Sequence, residues 1–111
     1  MANFYKSVLI DPTDTNLNTV YTAPSNARAI IQNIQVINET GTRTLSVQIT
    51  RATVTQQLAY ASLNGVTNDN LAKGPIILQE NDELKVQVSD TTGGISCTIS
   101  LLELSRADQN G

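Results

Sequence analysis

The 111-residue chain carries 7 Lys+Arg against 10 Asp+Glu, a formal net charge of −3, and has no histidine, no tryptophan and one cysteine. Those absences remove the side chains on which most general acid–base catalysis, zinc binding and disulfide stapling rest. Charged residues are only 15% of the chain, below the roughly 25% usual for soluble domains, and the polarity comes instead from 14 Thr, 11 Asn, 8 Ser and 8 Gln. A hydrophobic content of 40% with so small a net charge speaks for folding over disorder, and the length suits one domain over residues 1–111 with one core.

Period-two alternation and β-branched residues recur along the chain, while helical periodicity is nearly absent. A first strand is expected from Phe4 to Ile10, stopped by the turn cluster Asp11-Pro12-Thr13-Asp14, and a second from Asn18 to Thr22, ended by Ala23-Pro24-Ser25-Asn26. The third run, Arg28 to Asn38, places Ile30, Ile34 and Val36 on one parity, with Gln32 interrupting, and Ile31 and Ile37 on the other, as in a central strand partly covered on both faces. The turn Asn38 to Thr42, in which Gly41 supplies the positive φ, is expected to close a hairpin onto Leu45, Val47 and Ile49 alternating with Ser46, Gln48 and Thr50.

Val54 to Ala61 is expected as a fifth strand, although Gln56 to Ala59 is compatible with a helical turn. Ser62 to Lys73, rich in Asn, Asp, Gly and Thr, is expected as the longest irregular connection. Pro75 to Gln79 is a short strand, and Glu80 to Glu83 a turn. Leu84, Val86 and Val88 then alternate with polar residues, and the turn Asp90 to Gly94 is expected to close a second hairpin onto Ile95, Cys97, Ile99 and Leu101. From Leu101 to Leu104 both parities turn apolar, which implies a bulge or a covered second face. Ser105 to Gly111 is expected as a loose polar tail. About eight strands broken by regular turn signals predict an all-β, antiparallel β-sandwich of jelly-roll type.

Chemistry is hard to place on these residues. The carboxylates Glu80, Asp82 and Glu83 crowd one turn and Asp11 and Asp14 another, where bonding to local backbone is the common role, and none follows the spaced acidic loop of a calcium site. Serine nucleophiles lack a base, Gly93-Gly94 lacks the lysine of a phosphate loop, and Cys97 reads as a small buried hydrophobe. No cofactor is called for. The seven cations are scattered, which argues against nucleic acid, and no stretch approaches the roughly 18 apolar residues of a membrane span. The N-terminus, Met1 to Lys6, lacks the apolar run of a signal peptide, so assembly in a cytosol is expected and the sequon at Asn38 would go unused. A carbohydrate-binding module competes, with Tyr60 as an exposed aromatic, but aromatics are few. An interaction role fits the outward Thr, Asn, Ser and Gln, which lose less on desolvation than ions do.

The run Thr19 to Ile31, with its Tyr21-Thr22-Ala23-Pro24-Ser25-Asn26 turn, and the strand end Ile34 to Gly41 resemble a motif of small bacteriophage virion proteins. The segment Gly74 to Val86 resembles its continuation, with Asn81 where that group commonly has glycine, a swap a turn accepts. The resemblance implies a non-enzymatic β-sandwich of a phage particle: a capsid decoration or cement protein bound to the major capsid protein, or a tail, neck or fibre component. It implies a homo-oligomer, most often a trimer, assembled in the host cytoplasm and located in the virion. Partner contacts would then be carried by the N-terminal arm at Phe4 and Tyr5, the hairpin tip at Glu39, Thr42 and Arg43, the exposed Tyr60, and the Asn68, Asp69 and Asn70 segment.

Overall fold

Alternating β-branched and polar residues favour extended backbone, and the computed structural model, which describes residues 3–91 and 94–105, consists of nine strands with no helix among the described residues. They are β1 (Asn3–Ile10), β2 (Asn18–Thr22), β3 (Ala27–Asn38), β4 (Thr42–Arg51), β5 (Val54–Asn64), β6 (Thr67–Asn70), β7 (Ile76–Leu78), β8 (Glu83–Val88) and β9 (Ile95–Ser105). One sheet runs β1-β9-β3-β6, with β7 also paired to β3, and the other runs β2-β8-β4-β5. Every pairing is antiparallel. The partners nest: β1 with β9, β2 with β8, β3 with β6 and β7, β4 with β5. That is a long hairpin rolled onto itself, the jelly-roll topology. Because β6 pairs with Gln35 to Asn38 and β7 with Ala29 to Ile31, the two share one sheet edge and fill one of eight jelly-roll positions.

The core lies between the sheets, where Ile31, Ile34, Leu45, Leu78, Leu84, Ile99 and Leu101 are fully buried, each contributing roughly 1.5–3 kcal/mol relative to exposure. Cys97 joins them at 1% exposure, and burial pushes its thiol up to about 12.

The alternation of β3 is broken by a register shift between Ile31 and Asn33. Ala27, Ala29 and Ile31 are buried before it, and Ile34, Val36 and Asn38 after it. Gln32 is the extra residue of a bulge, so the face changes parity there. Ile30, expected beside Ile34 and Val36, therefore belongs to the outer face, and Ile31 takes its place inside. The mixed apolar run at the end of β9 holds no bulge of its own. Leu101 and Glu103 point inward and Leu102 and Leu104 outward in unbroken alternation, and the bulge sits on β3 opposite Ser100 and Leu101.

The two expected hairpins, β3–β4 and β8–β9, are not formed: each turn carries the chain from one sheet to the other, because each strand finds its neighbours elsewhere in the chain. The expected long loop from Ser62 to Lys73 is also corrected. β5 continues to Asn64, Gly65 (φ +68°) turns the chain, and β6 follows at once, leaving only 71–75 irregular. Polar residues suit β6 because it is an exposed edge strand. The possible helical turn at Gln56 to Ala59 is strand, with a register shift at Leu58. Ser105 ends β9 opposite Ala27 and so is not part of a tail. The rest of the expected tail, 106–111, and Thr92 and Gly93 of the last turn lie outside the described residues.

The loops fall at two ends of the sandwich. The β1–β2, β3–β4, β5–β6 and β8–β9 connections share one end, and β2–β3, β4–β5 and β7–β8 the other. At the second end, Asp82 is 1% exposed. Its carboxylate accepts from Arg51 Nε at 2.9 Å, Arg51 Nη2 at 2.7 Å and the Gln79 N–H at 2.8 Å. The Ala23 N–H donates to the Asp82 carbonyl at 2.9 Å, which ties the three connections together.

Candidate functional site

The predicted contact residues do not converge on one site. Glu39, Thr42 and Arg43 gather at the first end, where the Gly65 N–H donates to the Gly41 carbonyl at 2.9 Å and Thr42 Oγ1 lies 3.0 Å from Asn64 Oδ1. Arg43 is 2% exposed. Its guanidinium donates to the carbonyls of Asp90 at 2.9 Å and Thr40 at 2.6 Å, so it clamps two connections from inside. Glu39 and Thr42 stay exposed, and the Glu39 N–H donates to the Gly94 carbonyl at 2.9 Å. A Cβ on Gly94 would lie 1.9 Å from Glu39 Oε2, so glycine there makes room for the carboxylate.

Asn68, Asp69 and Asn70 form the exposed part of β6, and their side chains serve local backbone and neighbours. Asn70 Oδ1 accepts from the Ile34 N–H at 3.0 Å and the Ala72 N–H at 3.1 Å, Asp69 Oδ1 accepts from the Asn70 N–H at 2.8 Å, and Asn68 Oδ1 accepts from Gln35. Tyr60 is 64% exposed on the outer face of the other sheet, opposite Ser46, in a shallow depression lined by Thr44, Gln87 and Ser89. Phe4 and Tyr5, 52% and 79% exposed, sit on β1 opposite Glu103 and Leu102. At the rise of a strand that is roughly 23 Å along β9 from the end that holds Glu39 and Thr42.

Sequence reasoning missed the surface that the fold does assemble. On the outer face of the first sheet, Tyr5 pairs with Leu102, Leu102 with Ile30, and Ile30 with Ile77. One apolar side chain from each of four strands thus stands in a single row. Tyr5 and Ile77 are widely exposed, while Leu102 and Ile30 between them are half-buried. The outer face of the second sheet is different, with Thr19, Lys85, Gln48 and Gln57 aligned across its four strands. The available signal was the pair of off-parity residues Ile30 and Leu102, but the bulge concealed that they stand side by side.

Beneath the β1 end of that row lies a buried carboxylate. Glu103, 7% exposed, accepts a 2.5 Å hydrogen bond from the Tyr21 hydroxyl, and Lys6 Nζ approaches it at 3.1 Å. Burial and the neighbouring Glu103 raise the Tyr21 hydroxyl above its ordinary value. The sign follows: this contribution is complete below the unfolded tyrosine value near pH 10 and is lost as pH rises through the higher folded one. Tyr21→Phe is expected to cost about 1–2 kcal/mol, read as a lower urea midpoint at pH 7. Lys6 still neutralises Glu103 in that variant, so the fold is retained. Among the described residues no group of three or more His, Cys, Asp or Glu could hold a metal.

No family model matches the chain. No curated protein matches it. Among solved structures, a chain of the acidic stable capsid structure of Helicobacter pylori bacteriophage KHP30 aligns with a TM-score of 0.63 at 12% identity, over 96% of this chain and 90% of that one. What the two share is the fold. Weaker alignments reach a pentameric capsid protein isolated from metagenomic phage sequences (TM-score 0.39, 12% identity, 93% of this chain and 59% of that one) and the infectious bursal disease virus Gt strain structure (TM-score 0.44, 13% identity, 95% and 31%).

Proposed function

We propose that this chain is a non-enzymatic structural component of a phage particle, and that it decorates or cements the capsid by binding the major capsid protein. The observation that carries the reading is the jelly roll aligned along nearly the whole of both chains with a phage capsid structure. Two features support it. The outer face of the β2-β8-β4-β5 sheet is mostly uncharged, and such a surface can be covered at lower desolvation cost than a charged one. The apolar row on the other sheet is of the kind that a partner covers.

The test is to purify particles and tailless capsids and to quantify this chain in each by mass spectrometry. Many copies per capsid, retained when tails are removed, are the expected result. Copies found only with tails would move the protein to the tail, neck or fibre, and absence from purified particles would overturn the virion role.

A second reading, a carbohydrate-binding module, is favoured by Tyr60, whose exposed ring stands among the hydroxyl and amide groups of Thr44, Ser46, Gln87 and Ser89. It predicts glycan binding by the free protein that Tyr60→Ala abolishes. A silent glycan array removes it.

A further inference from the structure

The four strand edges of the sandwich are not alike. β2 is five residues long and carries a register shift between Thr19 and Tyr21. β5 carries a register shift at Leu58, and it faces the β6–β7 edge across a cleft lined by Leu58 to Ser62 and Asp69 to Leu71. The β6–β7 edge is itself interrupted at 71–75, which includes Pro75. Bulges, interruptions, proline, short length and charged side chains are the devices by which sheets block unwanted strand addition. β1 has only the last of them, in Lys6. It pairs with β9 through eight consecutive positions without a shift and has no proline. Its one charge, Lys6, is held by Glu103 at 3.1 Å. Among the described residues no strand pairs with its outer backbone edge, and it displays Phe4, Tyr5 and Leu9 at 52%, 79% and 78% exposure.

We propose that β1 is a homodimerisation strand that pairs antiparallel with β1 of a second copy about a two-fold axis at Ser7, joining the two β1-β9-β3-β6 sheets into one. The occupant follows from register. Residues directly opposite in an antiparallel pair share a face, and in β1 Tyr5, Ser7 and Leu9 face outward while Phe4, Lys6, Val8 and Ile10 face the core side, as their partners on β9 show. With the axis at Ser7, Tyr5 lies against Leu9 of the second copy and Phe4 against Ile10, each contact occurring twice. All three exposed apolar side chains then gain apolar cross-strand partners. With the axis at Lys6, the two ammonium groups would oppose each other. With the axis at Val8, Phe4 and Tyr5 would have no partner. The pairing is isologous and closes on itself, and it brings the two Tyr5-Leu102-Ile30-Ile77 rows onto one continuous face. A two-fold pair is thus the elementary oligomer, where the sequence resemblance implies a trimer.

Engineered thiols test the register, since Cys97 is 1% exposed and leaves the introduced cysteine as the reactive one. Ser7→Cys is expected to form a disulfide-linked dimer under mild oxidation, because directly opposite positions lie within disulfide reach. Tyr5→Cys alone and Leu9→Cys alone are expected not to form one, since each thiol sits roughly 13 Å from its own copy. A mixture of the two is expected to cross-link. Sedimentation of the native protein at tens of micromolar is expected to give a dimer and Leu9→Lys a monomer with an unchanged melting profile. A native monomer or trimer, or Ser7→Cys cross-linking no faster than the exposed turn variant Thr53→Cys, would overturn the proposal, and neither readout depends on a phage particle.

Discussion

Ile31→Ala is expected to lower the free energy of unfolding by about 2–5 kcal/mol, whereas Ile30→Ala, one residue earlier, is expected to cost under about 1 kcal/mol. Ile31 is fully buried, while Ile30 lies half-buried on the outer face between Leu102 and Ile77. Simple alternation anchored on Ile34 and Val36 predicts the opposite order, because it places Ile30 inside. Stability for a chain of this size is of order 0.05–0.15 kcal/mol per residue, so the Ile31 variant loses a large share of the total. Urea unfolding of both variants decides the order. A chain lacking Gln32 checks the cause. Its deletion turns Ala27, Ala29, Ile31, Ile34, Val36 and Asn38 into one unbroken alternation, so a cooperative transition is expected to survive.

Asp82→Ala is expected to cost about 2–3 kcal/mol at pH 7, the scale of hydrogen bonds made by a charged group. The carboxylate is 1% exposed and accepts from both Arg51 nitrogens and the Gln79 N–H. Its loss leaves the Gln79 donor unpaired and frees the β4–β5 and β7–β8 connections from each other. The Arg51 guanidinium is the main reason that the Asp82 carboxyl is held below its ordinary value. A carboxyl with a depressed folded pKa stabilises above its unfolded value, near 3.9, and loses that contribution as pH falls through the folded one. The difference between native protein and Asp82→Ala should therefore be constant from pH 7 to about 5 and shrink progressively below about pH 4. Denaturant midpoints across that range measure it. A difference that stays constant down to pH 2 would show that the carboxylate charge contributes nothing.

The strands were legible because their signals are local. Leu84, Val86 and Val88 alternate cleanly, and Gly41, at φ +83°, makes the turn that its sequence predicts, although that turn crosses between the sheets and closes no hairpin. Asn81 adopts φ +69°, consistent with the tolerance of asparagine for left-handed backbone. β6 was not legible. Thr67 to Asn70 has a loop composition and becomes a strand because β3 offers it a free edge. Arg43 was misread in the same way, since a lone arginine beside a turn looks exposed until the Thr40 and Asp90 carbonyls converge on it.

Composition and alternation thus determined by themselves that this chain is a β-sandwich without histidine, since propensity and period-two burial act between near neighbours. Only the tertiary structure decided which side of β3 faces the core, because a bulge is an offset between two strands, and the mixed parity around Gln32 does not by itself say which of Ile30 and Ile31 turns inward. For the same reason only the tertiary structure aligned Tyr5, Leu102, Ile30 and Ile77, which lie far apart in the chain, and left β1, among the described strands, as the edge guarded by a single ion-paired lysine.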